Sequence, residues 1–326
     1  MMKKTAIAPA NIAFIKYWGK RDVRLNLPTN GSISMNLSAF HTITTVAFNQ
    51  TKSDQIFLNG IPAGKQEALR ISAQLDRIRS LAQVSFPARI SSKNNFPTGV
   101  GIASSASGFA ALTLAASRAL GLRLSKRKLS ILARRGSGSA CRSIPDGFVE
   151  WIPGTSDENS YARSLYPASH WDLHDLVVLV SRRSKKVGSS EGHSLVLTSP
   201  FFEARLREIA GRLRRLKQAL GRKDFRIFGE IIEEEALNMH AVMMTSKPAL
   251  FYLEPVSLAV MHKVVAWREE GLESYFTLDA GPTVHIICQG KDSKKLAQQL
   301  KAVSGVMELV DNEAVVGARV IEENLF

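Results

Sequence analysis

Apolar and polar side chains alternate along much of the first 60 residues, which is the pattern of half-buried β-strands. The alternation is clearest in HTITTVAFN at 41–49 and in QIFLNG at 55–60. The second stretch ends in Asn59-Gly60, a strong signal for a hairpin turn. We therefore predict two strands here, with a hairpin turn at the end of the second.

A helical pattern follows in KQEALRISAQLDRIRSLA at 65–82. Its predicted apolar face consists of Leu69, Ala73, Ile78 and Leu81. A short strand is predicted near Ala88–Ser91, and a helix is predicted to begin at Ser104 after the glycine-rich stretch FPTGVGIASSASG at 96–108.

The second half of the chain repeats this mixture in a different order. The continuous apolar run HDLVVLVS at 174–181 predicts a buried strand, and mainly helical patterns follow it. The chain closes with two strand patterns, a helix and a last strand pattern in VGARVIEEN. We predict an α+β fold with two domains, residues 1–172 and 173–326.

The chain has 326 residues, is 45% hydrophobic and carries a formal net charge of +14, which permits a polyanionic partner or an anionic substrate. Much of the excess lies in RLREIAGRLRRLKQALGRK at 205–223. Its apolar residues recur at helical spacing, so we interpret its bases as the solvated face of an amphipathic helix. A nucleic-acid partner is not expected, because no zinc-finger spacing or RNA-binding strand motif accompanies the charge.

Other classes of protein are also disfavoured. The uncharged stretch 94–117 contains too many Asn, Ser, Thr, Gly and Pro residues for a membrane span. Cys141 and Cys288 are distant in sequence and predict neither a disulfide framework nor a zinc site. We expect a cytoplasmic protein that is not bound to a membrane.

The glycine-rich stretch predicts a phosphate site. A glycine-rich turn that opens a helix points several backbone N–H groups at one place, with the positive end of the helix behind them. Ser104 and Ser105 can add hydroxyl ligands for phosphate oxygens or for a magnesium ion. No lysine follows the glycines, so the stretch is not a P-loop of the GxxxxGK[ST] type.

Three further segments carry the chemistry of an anion pocket. NIAFIKYWGKRD at 11–22 mixes cations with two aromatic residues, and RRGSGSACRS at 134–143 combines hydroxyls with Arg142. TLDAGPT at 277–283 places Asp279 at the end of a strand, before a Gly-Pro turn. A carboxylate among so many cations would stay ionised and could orient or deprotonate a hydroxyl.

Together these segments resemble the diphosphomevalonate decarboxylase family of the GHMP kinase superfamily, as does GFVEW at 147–151. The resemblance implies a two-domain GHMP kinase-like fold with the active-site cleft between the domains. It also implies an ATP- and Mg²⁺-dependent enzyme of isoprenoid synthesis. In this family ATP phosphorylates the 3-hydroxyl of mevalonate 5-diphosphate, and loss of phosphate and CO₂ then gives isopentenyl diphosphate.

The resemblance also implies roles for single residues. Asp279 would orient or deprotonate the 3-hydroxyl, and Arg142, held by Asn11, would bind the substrate carboxylate. Lys16 is included among the catalytic residues. The 5-phosphate group would be bound by Lys16, Tyr17, Lys20, Ser137, Ser139 and Ser190. ATP would be bound by Pro97, Gly99, Gly101, Ala103, Ser104 and Ser105, with Ser105 also a candidate magnesium ligand.

Two positions depart from the family pattern. Thr283 stands where the family has Asn after DAGP, so a nucleotide contact at this position is not expected to carry over. Glu191 stands where some members have a phosphate-binding Arg or a Thr, and an acid close to a diphosphate is unfavourable. Either Glu191 points away, or the substrate is a 5-monophosphate; we favour the diphosphate.

Three alternatives stay open at this point: a phosphomevalonate decarboxylase that makes isopentenyl phosphate, a mevalonate 3-kinase without decarboxylation, and a basic RNA-binding protein. A homodimer is compatible with the resemblance but is not indicated by the residues themselves.

Overall fold

The computed structural model describes residues 2–49, 51–96, 104–183 and 187–326. These residues form fourteen strands and eight α-helices. The strands are β1 (Lys3–Ile15), β2 (Lys20–Asp22), β3 (Leu27–Pro28), β4 (Ser32–Phe48), β5 (Gln55–Leu58), β6 (Ile61–Pro62), β7 (Ala88–Asn94), β8 (Phe148–Ile152), β9 (Tyr161–Tyr166), β10 (Leu173–Leu179), β11 (Tyr275–Leu278), β12 (Val284–Gln289), β13 (Glu308–Glu313) and β14 (Arg319–Ile321). The helices are α1 (Lys65–Ala82), α2 (Ser104–Ala119), α3 (Lys126–Gly136), α4 (Ser189–Leu195), α5 (Phe202–Arg222), α6 (Phe225–Thr245), α7 (Pro255–Glu269) and α8 (Gly290–Lys301).

The strands build two main sheets. The first has the order β14-β1-β4-β7-β5-β6, and β8 and β9 extend it from the other part of β4. The second has the order β11-β12-β10-β13. Helix α2 packs on β1 and β4, while α6 packs on β11 and also reaches β1. The predicted α+β class is therefore confirmed.

One hydrophobic core joins the two sheets. It contains Phe14 and Met35 from the first sheet, Val177 and Ile287 from the second, and Phe228 from α6. All five side chains are fully buried. Because the sheets share a core, the ends of β1 and β11 are held at fixed positions relative to each other.

The Asn59-Gly60 hairpin is confirmed, since β5 and β6 pair antiparallel across it. Asn59 and Gly60 have φ values of 51° and 83°, the left-handed conformations that a type I′ turn requires. The predicted helix at 65–82 also has the predicted bounds. It ends where Gln83 adopts the left-handed conformation that terminates many helices.

The predicted apolar face of α1 was largely wrong. Ile78 is buried as expected, but Leu69 and Leu81 are 57% and 42% exposed. Ile71 and Leu75 are buried beside Ile78 instead. The helix carries apolar residues on two adjacent faces, and packing against α2 and α3 selects the face with the 71, 75, 78 spacing.

The interpretation of helix α5 as having a solvated basic face was correct for part of the helix only. Arg214, Arg215 and Arg222 are exposed. Arg205 is fully buried in an ion pair with Glu235 of α6. Arg212, also on α5, is likewise buried against acidic side chains.

Arg212 is only 5% exposed and contacts three carboxylates. Its guanidinium lies 2.6 Å from Glu208, 2.8 Å from Glu234 and 3.4 Å from Glu235. An amphipathic pattern cannot distinguish bases that face water from bases that face the acids of a neighbouring helix, which explains the error.

The boundary between residues 172 and 173 stays a prediction. It falls immediately before β10, the first strand of the second sheet. However, β14 lies within 173–326 and pairs with β1 of the first sheet, with Thr5 opposite Ile321. Among the described helices none is both long enough and apolar enough to cross a membrane.

Arg212→Glu is expected to lower the free energy of unfolding by more than about 3 kcal/mol, because it removes a buried cation and leaves three acids facing a fourth. Arg215→Glu, on the exposed face of α5, is expected to change it by less than about 0.5 kcal/mol. Urea denaturation followed by circular dichroism measures both. Equal midpoints for the two variants would contradict the partly buried basic face.

Candidate active site

Lys16 and Asp279 meet between the two sheets. Lys16 follows the last residue of β1, and Asp279 follows the last residue of β11. Lys16 Nζ donates a hydrogen bond to Asp279 Oδ1 at 2.8 Å. The Lys16 side chain is 1% exposed and that of Asp279 is 25% exposed. The pair is therefore the point at which the two halves of the chain bring opposite charges into contact.

The charges around Asp279 favour its ionised form. Burial raises the pKa of Asp279, but the charges of Lys16, His285 and Arg142 outweigh burial and hold it below its ordinary value. The imidazole of His240 on α6 lies 3.1 Å from the carbonyl oxygen of Asp279, to which it can donate. Burial lowers the pKa of His240 to about 4, so its ring is neutral at pH 7.

Arg142 is fixed from two sides. It lies in the 3₁₀ segment Gly138–Ser143 and is 4% exposed. Its Nε donates to Asn11 Oδ1 at 3.1 Å, and its Nη1 donates to Ser32 Oγ at 2.8 Å. Asn11 in turn donates to Ser143 Oγ at 2.8 Å. The guanidinium is thus held in one orientation before any ligand binds.

Tyr17 packs closely against the same 3₁₀ segment. A Cβ atom added to Gly138 would lie 2.7 Å from the Tyr17 ring, so only glycine fits there. On its other sides the Tyr17 ring contacts Trp151, with centroids 4.7 Å apart, and His193, at 4.3 Å. This packing fixes Tyr17 in the wall of the cavity.

These residues line a cavity of about 440 Å³, which we call the main cavity. Seven cations line it: Lys16, Lys20, Arg24, Arg70, Arg77, Arg135 and Arg142. Within the described ranges, Asp279 is the one acid among its lining residues. Such a cavity favours a ligand with several negative charges.

Most of the described site residues predicted from the sequence lie together in this cavity. Its lining includes Lys16, Tyr17, Lys20, Ser104, Ser105, Ser137, Ser139, Arg142 and Asp279. Ser105 Oγ and Ser137 Oγ are 3.1 Å apart, which joins the start of α2 to the end of α3. Asn11 does not line the cavity but contacts Arg142 from behind.

Several predicted residues cannot be placed in the cavity. Pro97, Gly99, Gly101 and Ala103 lie outside the described residues, as does the side chain of Ser190. Ser189, the preceding residue of α4, does line the main cavity.

Sequence reasoning missed several cavity residues. Arg70 and Arg77 on α1 lie seven residues apart, with Ala73 between them, and all three face the cavity. The spacing of the two arginines was visible in the sequence, but nothing there showed that α1 packs against α2 and α3. His193 was also missed; its Nδ1 accepts a hydrogen bond from the Gly19 N–H at 2.9 Å.

The two departures from the family pattern lie outside the lining of the main cavity, as far as its described residues extend. Glu191 is exposed on α4. Burial, and secondarily the charge of Glu191, raise the pKa of Tyr252. Thr283 is 2% exposed and lies immediately before β12.

A second cavity of about 340 Å³ adjoins the main cavity. The two share Arg70, Ser104 and Ser105. The rest of its wall is more apolar and includes Leu58, Ile90, Phe109 and Leu112 together with the amides of Asn59 and Asn94. It is therefore suited to a flat, partly apolar group that carries a few hydrogen-bonding atoms.

Comparison with known proteins gives one family for both halves of the chain. Residues 8–162 match the diphosphomevalonate decarboxylase-like N-terminal domain, and residues 175–323 match the mevalonate 5-diphosphate decarboxylase C-terminal domain. The chain is 39% identical to a diphosphomevalonate decarboxylase of Aspergillus fumigatus, over 93% of this chain and 81% of that protein.

Solved structures agree with this assignment. The crystal structure of mevalonate diphosphate decarboxylase from Staphylococcus aureus is 42% identical, with a TM-score of 0.92 and 98% of both chains covered. The structure of MDDEF in complex with MVAPP, AMPPCP and magnesium is 40% identical, with a TM-score of 0.92, covering 98% of this chain and 99% of that one. The chain therefore belongs to the diphosphomevalonate decarboxylase family, and the family and the GHMP kinase-like fold inferred from its motifs are confirmed.

Proposed function

We propose that the main cavity binds mevalonate 5-diphosphate and that the Lys16–Asp279 pair directs its ATP-dependent decarboxylation to isopentenyl diphosphate, ADP, phosphate and CO₂. The observation that carries this proposal is one carboxylate, held by a buried lysine, in a cavity lined by seven cations. MDDEF, a relative of similar length, binds MVAPP together with AMPPCP and magnesium.

Asp279 acts on the substrate's 3-hydroxyl. Its lowered pKa makes it a weak acceptor of a full proton, so its main role is to orient the hydroxyl by accepting its hydrogen bond. The hydroxyl oxygen attacks the γ-phosphorus of ATP, the bond from that phosphorus to the bridging oxygen breaks to release ADP, and the hydroxyl proton passes to an oxygen of the transferred phosphate. The 3-phosphate then leaves as the carboxylate departs as CO₂, and the electrons of the broken C–C bond form the new double bond.

Arg142 binds the substrate carboxylate. Its Nε and Nη1 are engaged by Asn11 and Ser32, which leaves Nη2 for the cavity. Lys20, Tyr17, Ser137 and Ser139 lie in the same lining and bind the 5-diphosphate. Burial, and secondarily the nearby Arg70, lower the pKa of Lys20, and an anionic ligand would oppose both effects.

ATP binds across the two cavities. The base and ribose occupy the second cavity, and the phosphates pass Arg70, Ser104 and Ser105 toward Asp279. Hydroxyls, cations and the start of α2 form a donor set that fits phosphate, and the Ser105 hydroxyl would help to hold a magnesium ion. When bound, magnesium neutralises charge that develops on the transferred phosphate.

A cytoplasmic location is part of this proposal. Cys141 and Cys288 are free, buried thiols, which is compatible with a reducing compartment. The homodimer stays a prediction.

Asp279→Asn is expected to lower kcat by a factor on the order of a thousand, because the neutral amide loses the negative charge that strengthens the hydrogen bond from the hydroxyl and forms the ion pair with Lys16. Asp76→Asn, at an exposed position of α1, is the control and should match wild type. Release of CO₂ and phosphate from mevalonate 5-diphosphate is the measurement. A variant within about threefold of wild type would remove Asp279 from the mechanism.

Arg142→Lys is expected to lower kcat/KM by about tenfold to a hundredfold, because lysine keeps the charge but its single nitrogen lacks the planar set of donors with which the guanidinium reaches Asn11, Ser32 and a carboxylate. The matched substitution Arg163→Lys changes a half-exposed arginine on β9 and should have no effect. Equal activity of the two variants would show that Arg142 does not bind substrate.

Glu191→Arg is expected to change the preference for mevalonate 5-diphosphate over the 5-monophosphate by less than about threefold, which is under 1 kcal/mol, because Glu191 lies outside the main cavity. Ser189→Ala, a change inside the cavity, should raise KM for the diphosphate. Turnover of mevalonate and of both phosphorylated forms is compared with ATP and magnesium. A hundredfold swing toward the diphosphate in Glu191→Arg would instead favour a monophosphate as the natural substrate.

A further inference from the structure

The main chain of Lys16 is held by side chains on three sides. Glu235 Oε1 on α6 accepts a hydrogen bond from the Lys16 N–H at 3.0 Å. Arg205 Nη2 on α5 and Asn30 Nδ2 both donate to the Lys16 carbonyl oxygen, at 3.4 Å and 2.9 Å. The N–H and the C=O of Lys16 are therefore both bonded to side chains.

Arg205 and Glu235 form an ion pair with each other in which both side chains are fully buried. Their own positions are fixed further, since Arg205 Nη1 donates to Asn238 Oδ1 at 2.8 Å. Arg212 Nη1 approaches Glu235 Oε2 at 3.4 Å. The pair is thus anchored to two long helices, independently of any ligand.

A buried ion pair is an expensive way to join two helices. Removing two charges from water costs several kcal/mol for each ion, and apolar side chains of the same volume often give equal or greater stability. What apolar side chains cannot do is bond to the N–H and C=O of Lys16. The pair therefore has a role beyond joining α5 to α6, since it also bonds the main chain of Lys16.

We propose that Arg205 and Glu235 are positioning residues that fix the main chain of Lys16 so that its ammonium holds Asp279 in the orientation that accepts the substrate hydroxyl. This inference rests on the proposed roles of Lys16 and Asp279. A displacement of about 1 Å in such a constellation can cost a hundredfold in rate. Arg205 and Glu235 contact neither cavity, so their effect passes through Lys16.

The charge of Glu235 has a second effect on Lys16. Burial lowers the pKa of Lys16, the charges of Asp279 and Glu235 oppose this, and Arg142 adds to it. Removing the Glu235 charge therefore lowers the pKa of Lys16 further, and the lysine loses its proton at a lower pH. The titratable and charged groups that face Lys16 are Asp279, Glu235, His240, Arg142 and Arg205.

Glu235→Gln keeps the shape and an acceptor oxygen but loses the charge that pairs with Arg205 and raises the pKa of Lys16, so it tests both effects. We expect kcat to fall by about tenfold to a hundredfold with KM for mevalonate 5-diphosphate within about threefold. The alkaline limb of the pH profile of kcat should move to lower pH. Glu234→Gln is the matched control: the same change, one residue earlier on α6, at a side chain that bonds Arg212 but not Lys16. It should keep the wild-type kcat and pH profile.

The double variant Arg205→Met/Glu235→Leu separates positioning from stability. Apolar replacement of a buried pair often leaves folding stability near or above wild type, and thermal unfolding measures the stability of this variant. A purely structural pair predicts a folded and active enzyme, whereas the positioning role predicts a folded enzyme with at least a tenfold loss of kcat. This variant decides the matter if Glu235→Gln fails to fold.

A third measurement identifies the route of the effect. In an Asp279→Asn background, Glu235→Gln should cause little further loss of kcat, because the carboxylate that it helps to place is already gone. Wild-type kcat and pH profile in Glu235→Gln, or full activity of the folded double variant, would overturn the inference. Failure of the wild-type enzyme to release CO₂ from mevalonate 5-diphosphate with ATP would instead overturn the proposed function.

Discussion

The hydrogen-bonded ion pair between Lys16 and Asp279 is the contact on which the rest of the site depends. Each partner stands one residue beyond the end of a strand, and the two strands belong to different sheets. The pair can form only because both sheets and α6 share one core, which leaves little freedom at either strand end. The cavity, the clamped Arg142 and the packed Tyr17 are arranged around this contact.

The repulsion among the cations that line the main cavity is offset in two ways. Several have partners on the protein side, such as Arg135 with Asp157 at 2.8 Å and Arg77 with Gln74 at 2.9 Å. The remaining imbalance, with Asp279 the one acid of the described lining, is the part that a polyanionic substrate neutralises. The described lining of the main cavity thus holds part of the excess of basic residues behind the +14 charge, whereas the ion pairs between α5 and α6 balance basic with acidic residues and add nothing to it.

Local sequence patterns predicted the features that depend only on residues adjacent in sequence. The hairpin at Asn59-Gly60 needs only its own two backbone conformations, and the bounds of α1 follow from its own spacing. Motif segments drew attention to Lys16, Arg142 and Asp279, which the fold brings to one cavity. By contrast, β13 has the polar sequence ELVDNE and is a strand because it pairs with β10. The burial of Arg205 and Arg212 depends on acids of another helix, and the cavity role of Arg70 depends on the packing of α1, so neither could be inferred from periodicity.

The pairing of β14 with β1 has a consequence for the order in which the protein matures on the ribosome. Strand β1 carries Asn11 and leads directly into Lys16, yet its edge is completed only by Arg319–Ile321. During synthesis β1 is made before β14, so this edge of β1 stays unpaired until residues 319–321 have been made. An unpaired edge strand is open to pairing with other chains. Until β14 has been made, the nascent chain therefore exposes an unpaired edge on the strand that leads into Lys16.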